Sequence, residues 1–278
     1  MARVLVCESF DDLRSRDVRL LQEASRLGDV HALAWSDAAV RRLTGSPPRF
    51  SQEERLYLLE SIRYVTTASI SQNSLDPDEP PPVEGESTAA PAADMWAVSE
   101  RRDSPGRREY ARSRGMGYRV FADRDLAGFP HERGRGRDDD GSTRKVVVTG
   151  CYDWFHSGHV RFFEEVSALG ALFVVVGNDE NVRFLKGEGH PLFPQEERRY
   201  QVGCVRFVTD ALIASGMGWL DAEPEIHAVK PDTYAVNEDG DKPEKRDFCR
   251  ANGIEYVVLK RVPHPGLPRR NSTDLRGF

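Results

Sequence analysis

Short runs of aliphatic and β-branched residues alternate along this chain with stretches that carry apolar side chains on one helical face. In the second half, the apolar runs predict strands near 145–149, 171–176, 205–208, 233–236 and 255–259. The intervening stretches predict helices near 158–169, 194–203 and 243–252. The first half opens the same way, with a strand at Arg3–Cys7. Strands alternating with helices build a parallel sheet with right-handed crossovers. The expected fold class is α/β, with Rossmann-like sheets flanked by helices.

The pattern runs through twice. Val4-Leu5-Val6 precedes Phe10-Asp11 as Val146-Val147-Val148 precedes Tyr152-Asp153. Val18-Arg19, Glu23 and Leu27-Gly28 recur as Val160-Arg161, Glu165 and Leu169-Gly170. Gln52-Glu53-Glu54-Arg55 recurs as Gln195-Glu196-Glu197-Arg198, and Asp94–Val98 as Asp232–Val236. Two copies of one unit are therefore expected, at 1–130 and 145–278, with a Gly-, Arg- and Asp-rich linker at 131–144. Ser71–Ala93, with Pro80-Pro81-Pro82, reads as a diverged loop inside the first copy. Its Leu75-Asp76 and Glu79-Pro80 echo Leu220-Asp221 and Glu223-Pro224.

Composition narrows the class. At 278 residues, with 39% hydrophobic and 30% charged residues, the chain suits a globular protein with ample core. A formal charge of −6 argues against a nucleic-acid partner, which would require a basic surface. Four cysteines without CxxC spacing predict reduced thiols and no structural zinc. No signal-peptide pattern is visible, and the longest apolar run, Ala171–Val176, is too short to span a bilayer. A cytoplasmic location is expected.

Chemistry concentrates at 146–160. A strand ends in Thr149-Gly150, a short loop follows, and His156-Ser157-Gly158-His159 opens a helix. Ligands of open α/β sheets bind at this end of the strands. His156 and His159 share one helix face, Ser157 is a candidate N-cap, and Gly158 leaves room for close approach. The helix N-terminus favours phosphate, and two imidazoles there can stabilise charge developing on it. Two other roles fit the same residues: histidines that merely cap the helix, or a metal pair. No third ligand with suitable spacing is evident, so no protein metal site is expected.

Gly150-Cys151-Tyr152-Asp153 followed by His156-Ser157-Gly158-His159 resembles the signature of the HxGH cytidylyltransferases. These include ethanolamine-phosphate, choline-phosphate and glycerol-3-phosphate cytidylyltransferases. The resemblance continues through Gly177-Asn178-Asp179-Glu180, Leu185-Lys186-Gly187, Phe193–Arg198, Lys260-Arg261 and Ser272-Thr273-Asp274-Leu275. It implies that His156 and His159 contact a triphosphate, that Lys186 reaches the phosphates from the other side, and that Arg198 joins them. It further implies nucleotide contacts from Gly150, Cys151, Tyr152, Asp153, Gly158, Asp179, Asn237, Glu238, Arg261, Arg270, Ser272 and Thr273. Asn237 stands where the family has glycine, and a Pro/Gly-rich insert separates Arg261 from Ser272. Any helix after Ser272 is about one turn.

The reaction so implied is attack by the phosphate (or phosphonate) of a small acceptor on the α-phosphorus of CTP, releasing pyrophosphate. Ethanolamine phosphate and glycerol phosphate are the model acceptors, and Mg²⁺ is expected to be held mainly by the nucleotide. One alternative is an adenylyltransferase of the same superfamily that uses ATP; the other is a non-catalytic nucleotide-binding protein. In the first copy Arg14 and Asp17 replace the histidines, Arg16 replaces Gly158, and Thr44 replaces Lys186. That copy is expected to be catalytically silent. Because family members pair such domains as dimers, the resemblance implies an intramolecular pseudo-dimer.

Overall fold

A computed structural model describes residues 1–71, 78, 93–134 and 143–275; the side chains of Thr273 and Asp274 lie outside that description. Most of the Ser71–Ala93 loop and the Asp138–Asp140 run also lie outside the described residues. The chain divides into two compact units, Met1–Gly128 and Phe129–Phe278.

The first unit runs β1 (Arg3–Glu8), α1 (Ser15–Ser25), β2 (Asp29–Trp35), α2 (Asp37–Thr44), α3 (Gln52–Ser61) and β3 (Thr67–Ser71). It continues with β4 (Met95–Ser99), α4 (Pro105–Ser113) and β5 (Gly117–Phe121). Its strands form one parallel sheet in the order β3-β2-β1-β4-β5.

The second unit runs β6 (Lys145–Gly150), α5 (Ser157–Ser167), β7 (Ala171–Val176), α6 (Asp179–Lys186), α7 (Gln195–Gly203) and β8 (Val208–Ile213). Then come α8 (Glu223–Val229), β9 (Thr233–Asn237), α9 (Pro243–Asn252), β10 (Glu255–Leu259) and α10 (Ser272–Leu275). Its sheet is again parallel, in the order β10-β9-β6-β7-β8.

Each sheet is covered on both faces, so its central strands read as nearly continuous apolar runs rather than alternating ones. Val146–Val148 on β6 are fully buried, as is every residue of β7. On one face, Val147, Val175, Tyr234 and Val236 pack against Ile226 of α8 and Phe248 of α9. The chain leaves β6 toward β7 and β8, then returns to the other side of β6 for β9 and β10. That reversal opens a crevice between β6 and β9 at their carboxyl ends.

The α/β class and both parallel sheets match the sequence expectation, and three local features differ. Strand β8 starts at Val208 rather than 205, because the turn closing α7 extends through Val205, whose carbonyl accepts from Val208 N–H. Val205 and Val208 are both fully buried, so hydrophobicity does not separate turn from strand. Helices α6 and α8 lie in stretches that read as loops; each is too short to show helical periodicity. The described start of the expected linker packs on the second unit, with Gly134 N–H donating to the Thr209 carbonyl at 2.8 Å and His131 2.8 Å from Asp210.

One buried guanidinium ties the loops of the second unit together. Arg198 is fully buried; it donates to the Phe193 carbonyl at 2.9 Å, the Cys151 carbonyl at 2.7 Å and the Asp179 carboxylate at 2.6 Å. Asp153 accepts from Leu192 and Phe193 N–H at 2.7 and 3.0 Å, fixing the same loop from the other side. The first unit has the same arrangement. Arg55 donates to Phe50, Ser9 and Trp35 carbonyls and to Asp37, while Asp11 accepts from Arg49 and Phe50 N–H. Removing Arg198 strands buried acceptors, so Arg198→Met is expected to cost about 3 kcal/mol or more. Urea denaturation followed by circular dichroism reads this directly; a loss below about 1 kcal/mol would contradict the structural role.

Candidate functional site

The turn after β6 is built by a close approach. A Cβ on Gly150 would sit 2.8 Å from the Tyr152 ring, so only glycine leaves that ring in place. Tyr152 itself adopts φ 53° and packs edge-on to His159, with ring centroids 5.2 Å apart. The backbone then enters α5 through His156, whose extended φ of −152° and Nδ1 acceptor make it the N-cap. Ser157, the residue expected to cap, is the first helical residue instead; its Oγ would have to replace an imidazole nitrogen that already accepts Gly158 N–H at 3.1 Å.

That hydrogen bond sets the chemistry of the pair. Because Nδ1 of His156 accepts, the neutral ring carries its proton on Nε2, which is buried and has no hydrogen-bond partner. The His156 and His159 rings stack with centroids 3.9 Å apart and planes 19° apart. His159 Nδ1 is likewise buried without a partner. Burial, with Arg261 and Arg270 nearby, pushes the His156 pKa down to about 3. His159 lies well below the usual histidine range for the same reason, aided by His156, Arg261 and Lys186. Both imidazoles are neutral donors at physiological pH.

A cleft of about 190 Å³ opens beside them. Its wall includes Gly150, Cys151, Tyr152, Asp153, Gly158, His159, Lys186, Asn237, Arg261 and Ser272. Ten of the expected site residues thus meet in one place. Lys186 reaches it from the exposed C-terminal end of α6. Arg261 is held by the Asp239 carboxylate at 2.6 Å and by the Arg270 carbonyl at 2.7 Å. Ser272 donates to the Trp154 carbonyl at 3.3 Å, which seats the single-turn helix α10 against the loop.

Other expected residues stand elsewhere. His156 is fully buried behind His159 and does not line the cleft wall. Arg198 and Asp179 are spent on each other and on loop carbonyls, so they position the loops rather than face a ligand. Glu238 is exposed on a 3₁₀ turn and does not line the cleft. Arg270 lines an adjoining crevice with Lys260 and Arg269. Thr273 lies outside the described side chains. The cleft also contains Lys245, a charged residue the sequence reading passed over, together with Asp239. Among the described residues, no cluster of three His, Cys, Asp or Glu side chains could hold a metal ion.

At the matching place in the first unit, the helix start satisfies itself. The Asp17 carboxylate accepts Arg14 N–H at 2.9 Å, the Arg14 side chain pairs with Asp12 at 2.6 Å, and Arg16 pairs with Asp123. No imidazole pair stands there; a cleft of about 160 Å³ at that place is lined by Glu8, Arg16, Asp17, Arg101 and Arg102.

The cytidylyltransferase-like family model matches residues 147–261. A FAD synthase of Ferroglobus placidus is 36% identical over 120 residues, covering 42% of this chain and 75% of that protein. One from Pyrococcus horikoshii is 40% identical over 130 residues, covering 45% of this chain and 84% of that protein. The bifunctional protein HldE of Desulfatibacillum aliphaticivorans is 35% identical over 91 residues, covering 32% of this chain and 18% of that protein. The chain belongs to the cytidylyltransferase-like family of the HxGH nucleotidyltransferase superfamily. No helix among the described residues is long and apolar enough to cross a membrane.

The depressed imidazoles carry a pH signature. The unfolded chain protonates these histidines below about pH 6.5, whereas folded His156 stays neutral until about pH 3. The unfolded state therefore binds more protons, and stability falls as pH drops from about 6.5 toward 3. Urea midpoints of the wild type are expected to decline more steeply between pH 7 and 5 than those of the double variant His156→Asn/His159→Asn. Equal slopes would contradict neutral imidazoles in the folded state.

Proposed function

We propose that the second unit transfers a nucleotidyl group from ATP to a phosphate oxygen of a small acceptor, releasing pyrophosphate. The observation that carries this reading is the stacked pair of neutral imidazoles at the start of α5, each with an unpartnered buried nitrogen, beside a cleft that holds Lys186 and Arg261. Adenine is favoured as the base by the relatives. FAD is FMN joined to AMP, so an enzyme named for making it transfers an adenylyl group. The same steps run with CTP, the donor the sequence motifs suggested, and the family description keeps that reading in view.

A phosphate dianion is already nucleophilic at neutral pH, so no general base is required. Its oxygen forms a bond to the α-phosphorus as the bond to the bridging oxygen breaks, and pyrophosphate carries away the electron pair. The protein's task is positioning and charge neutralisation. His159 meets the phosphates on the cleft wall, with His156 behind it orienting that ring through the stack. Lys186 and Arg261 balance the growing charge on the leaving group, and the N-terminus of α5 adds its partial positive charge. Mg²⁺ would arrive on the triphosphate and neutralise it there; the cleft's donors are nitrogen-bearing cations suited to phosphate, not an oxygen cage for a metal. The first unit, with its helix start self-satisfied, is a silent partner.

Pyrophosphate release measured with ATP or CTP against FMN, glycerol phosphate and ethanolamine phosphate tests the donor and the acceptor class together. ATP-dependent release with one of these is expected. Dominant CTP turnover would overturn the choice of donor, and nucleotide binding without release in any mixture would favour a non-catalytic role. His159→Ala is expected to lower kcat by roughly 10²–10³-fold, since it removes a donor aimed at transition-state charge. Arg14→Ala should leave turnover within about twofold; matching losses at both positions would sink the single-site model.

A further inference from the structure

Lys245 sits in the first turn of α9, at the carboxyl end of β9, and is only 8% exposed. Its ammonium lies 3.3 Å from Thr149 Oγ1 and 5.6 Å from the centre of the Tyr234 ring. Thr149 is held in turn by the Tyr234 hydroxyl at 2.7 Å. Among the described residues no carboxylate reaches Lys245 within ion-pair distance; Asp221 and Asp241 act on it only from farther away. A buried cation without a counter-ion is costly to maintain. This one lines the same cleft as His159 and Lys186.

The first unit shows what such a cation requires. At the matching position in α4, Arg107 is also buried and lies 5.2 Å over the Trp96 ring, as Lys245 lies over Tyr234. Arg107 is answered by carboxylates: Glu8 at 3.5 Å and Asp78 at 3.8 Å. Glu8 occupies the place that Gly150 holds in the second unit. Both units therefore put a cation beside the end of their central strand. The unit without histidines supplies its own anion at this place, and the unit with them has glycine there.

We propose that Lys245 binds the phosphate of the acceptor. Lys186 follows β7, on one side of β6, and Lys245 follows β9, on the other. An in-line displacement needs the entering and leaving oxygens on opposite sides of the phosphorus. Lys186 serves the leaving pyrophosphate, and Lys245 holds the attacking phosphate. This assignment rests on the nucleotidyl-transfer reading above.

The test uses the full-length chain loaded with Mg²⁺ and α,β-methylene-ATP, with inorganic phosphate as the probe and ³¹P line broadening as the readout. Lys245→Met keeps the aliphatic stem on Tyr234 and removes the charge; Lys245→Arg keeps the charge. Phosphate affinity is expected to fall at least tenfold in Lys245→Met and to recover most of the way in Lys245→Arg. Affinity for the nucleotide analogue should stay within twofold in both, which also reports that the fold is intact. Unchanged phosphate affinity in Lys245→Met, in a protein that turns over, would overturn this inference and leave nucleotidyl transfer standing. A matching loss of nucleotide affinity would place Lys245 on the triphosphate instead and overturn it too. A wild type that releases no pyrophosphate and binds no phosphate when loaded would fail at the level of the parent reading.

Discussion

Three stretches of chain meet at the carboxyl end of the second sheet: the turn after β6, the start of α6 after β7, and the loop that leads into α7. Two of them are irregular and leave backbone carbonyls that need donors, and the third presents the Asp179 carboxylate. Arg198 serves all three from the interior, with Cys151, Asp179 and Phe193 as partners. Its planar fork suits this task because several donors are fixed at once in one geometry. Arg55 does the same in the first unit, which lacks the histidines. The lock therefore belongs to the fold, and chemistry is added to it.

What is added is a set of polar groups left without partners. The turn held by Arg198 and Asp153 aims His156 into the helix start, where its Nδ1 caps Gly158 N–H and its Nε2–H stays unpaired. His159 stacks on it, and burial keeps both neutral. A neutral imidazole still donates through one N–H, and a phosphate on arrival can raise its pKa. Lys186 and Lys245 then flank β6 with positive charge. The first unit reaches the opposite outcome on the same scaffold: Glu8 answers Arg107, and Asp17 answers the Arg14 N–H.

Much of this was legible in the sequence because it depends on local pattern. The apolar runs of the central strands, the doubled order of elements and the His-Ser-Gly-His turn all sit within short windows. The features that escaped depend on contacts between distant segments. Arg198 looks like a ligand arginine until its three acceptors, supplied by other loops, are seen to surround it. Lys245 reads as one more charge in the run Asp239–Arg246; only the crossover from β6 to β9 brings it beside Thr149. Nor does the sequence separate Ser157 from His156 as the cap, since both can accept from a backbone N–H. The start of β8 was misplaced because buried valines occupy turn and strand alike.

The direct test of the site is where the triphosphate goes. With histidine imidazoles labelled with ¹⁵N, addition of ATP and Mg²⁺ is expected to shift the ring resonances of His156 and His159 while His31, in the first unit, stays unmoved. Saturable nucleotide binding that leaves both of those rings unperturbed would contradict it.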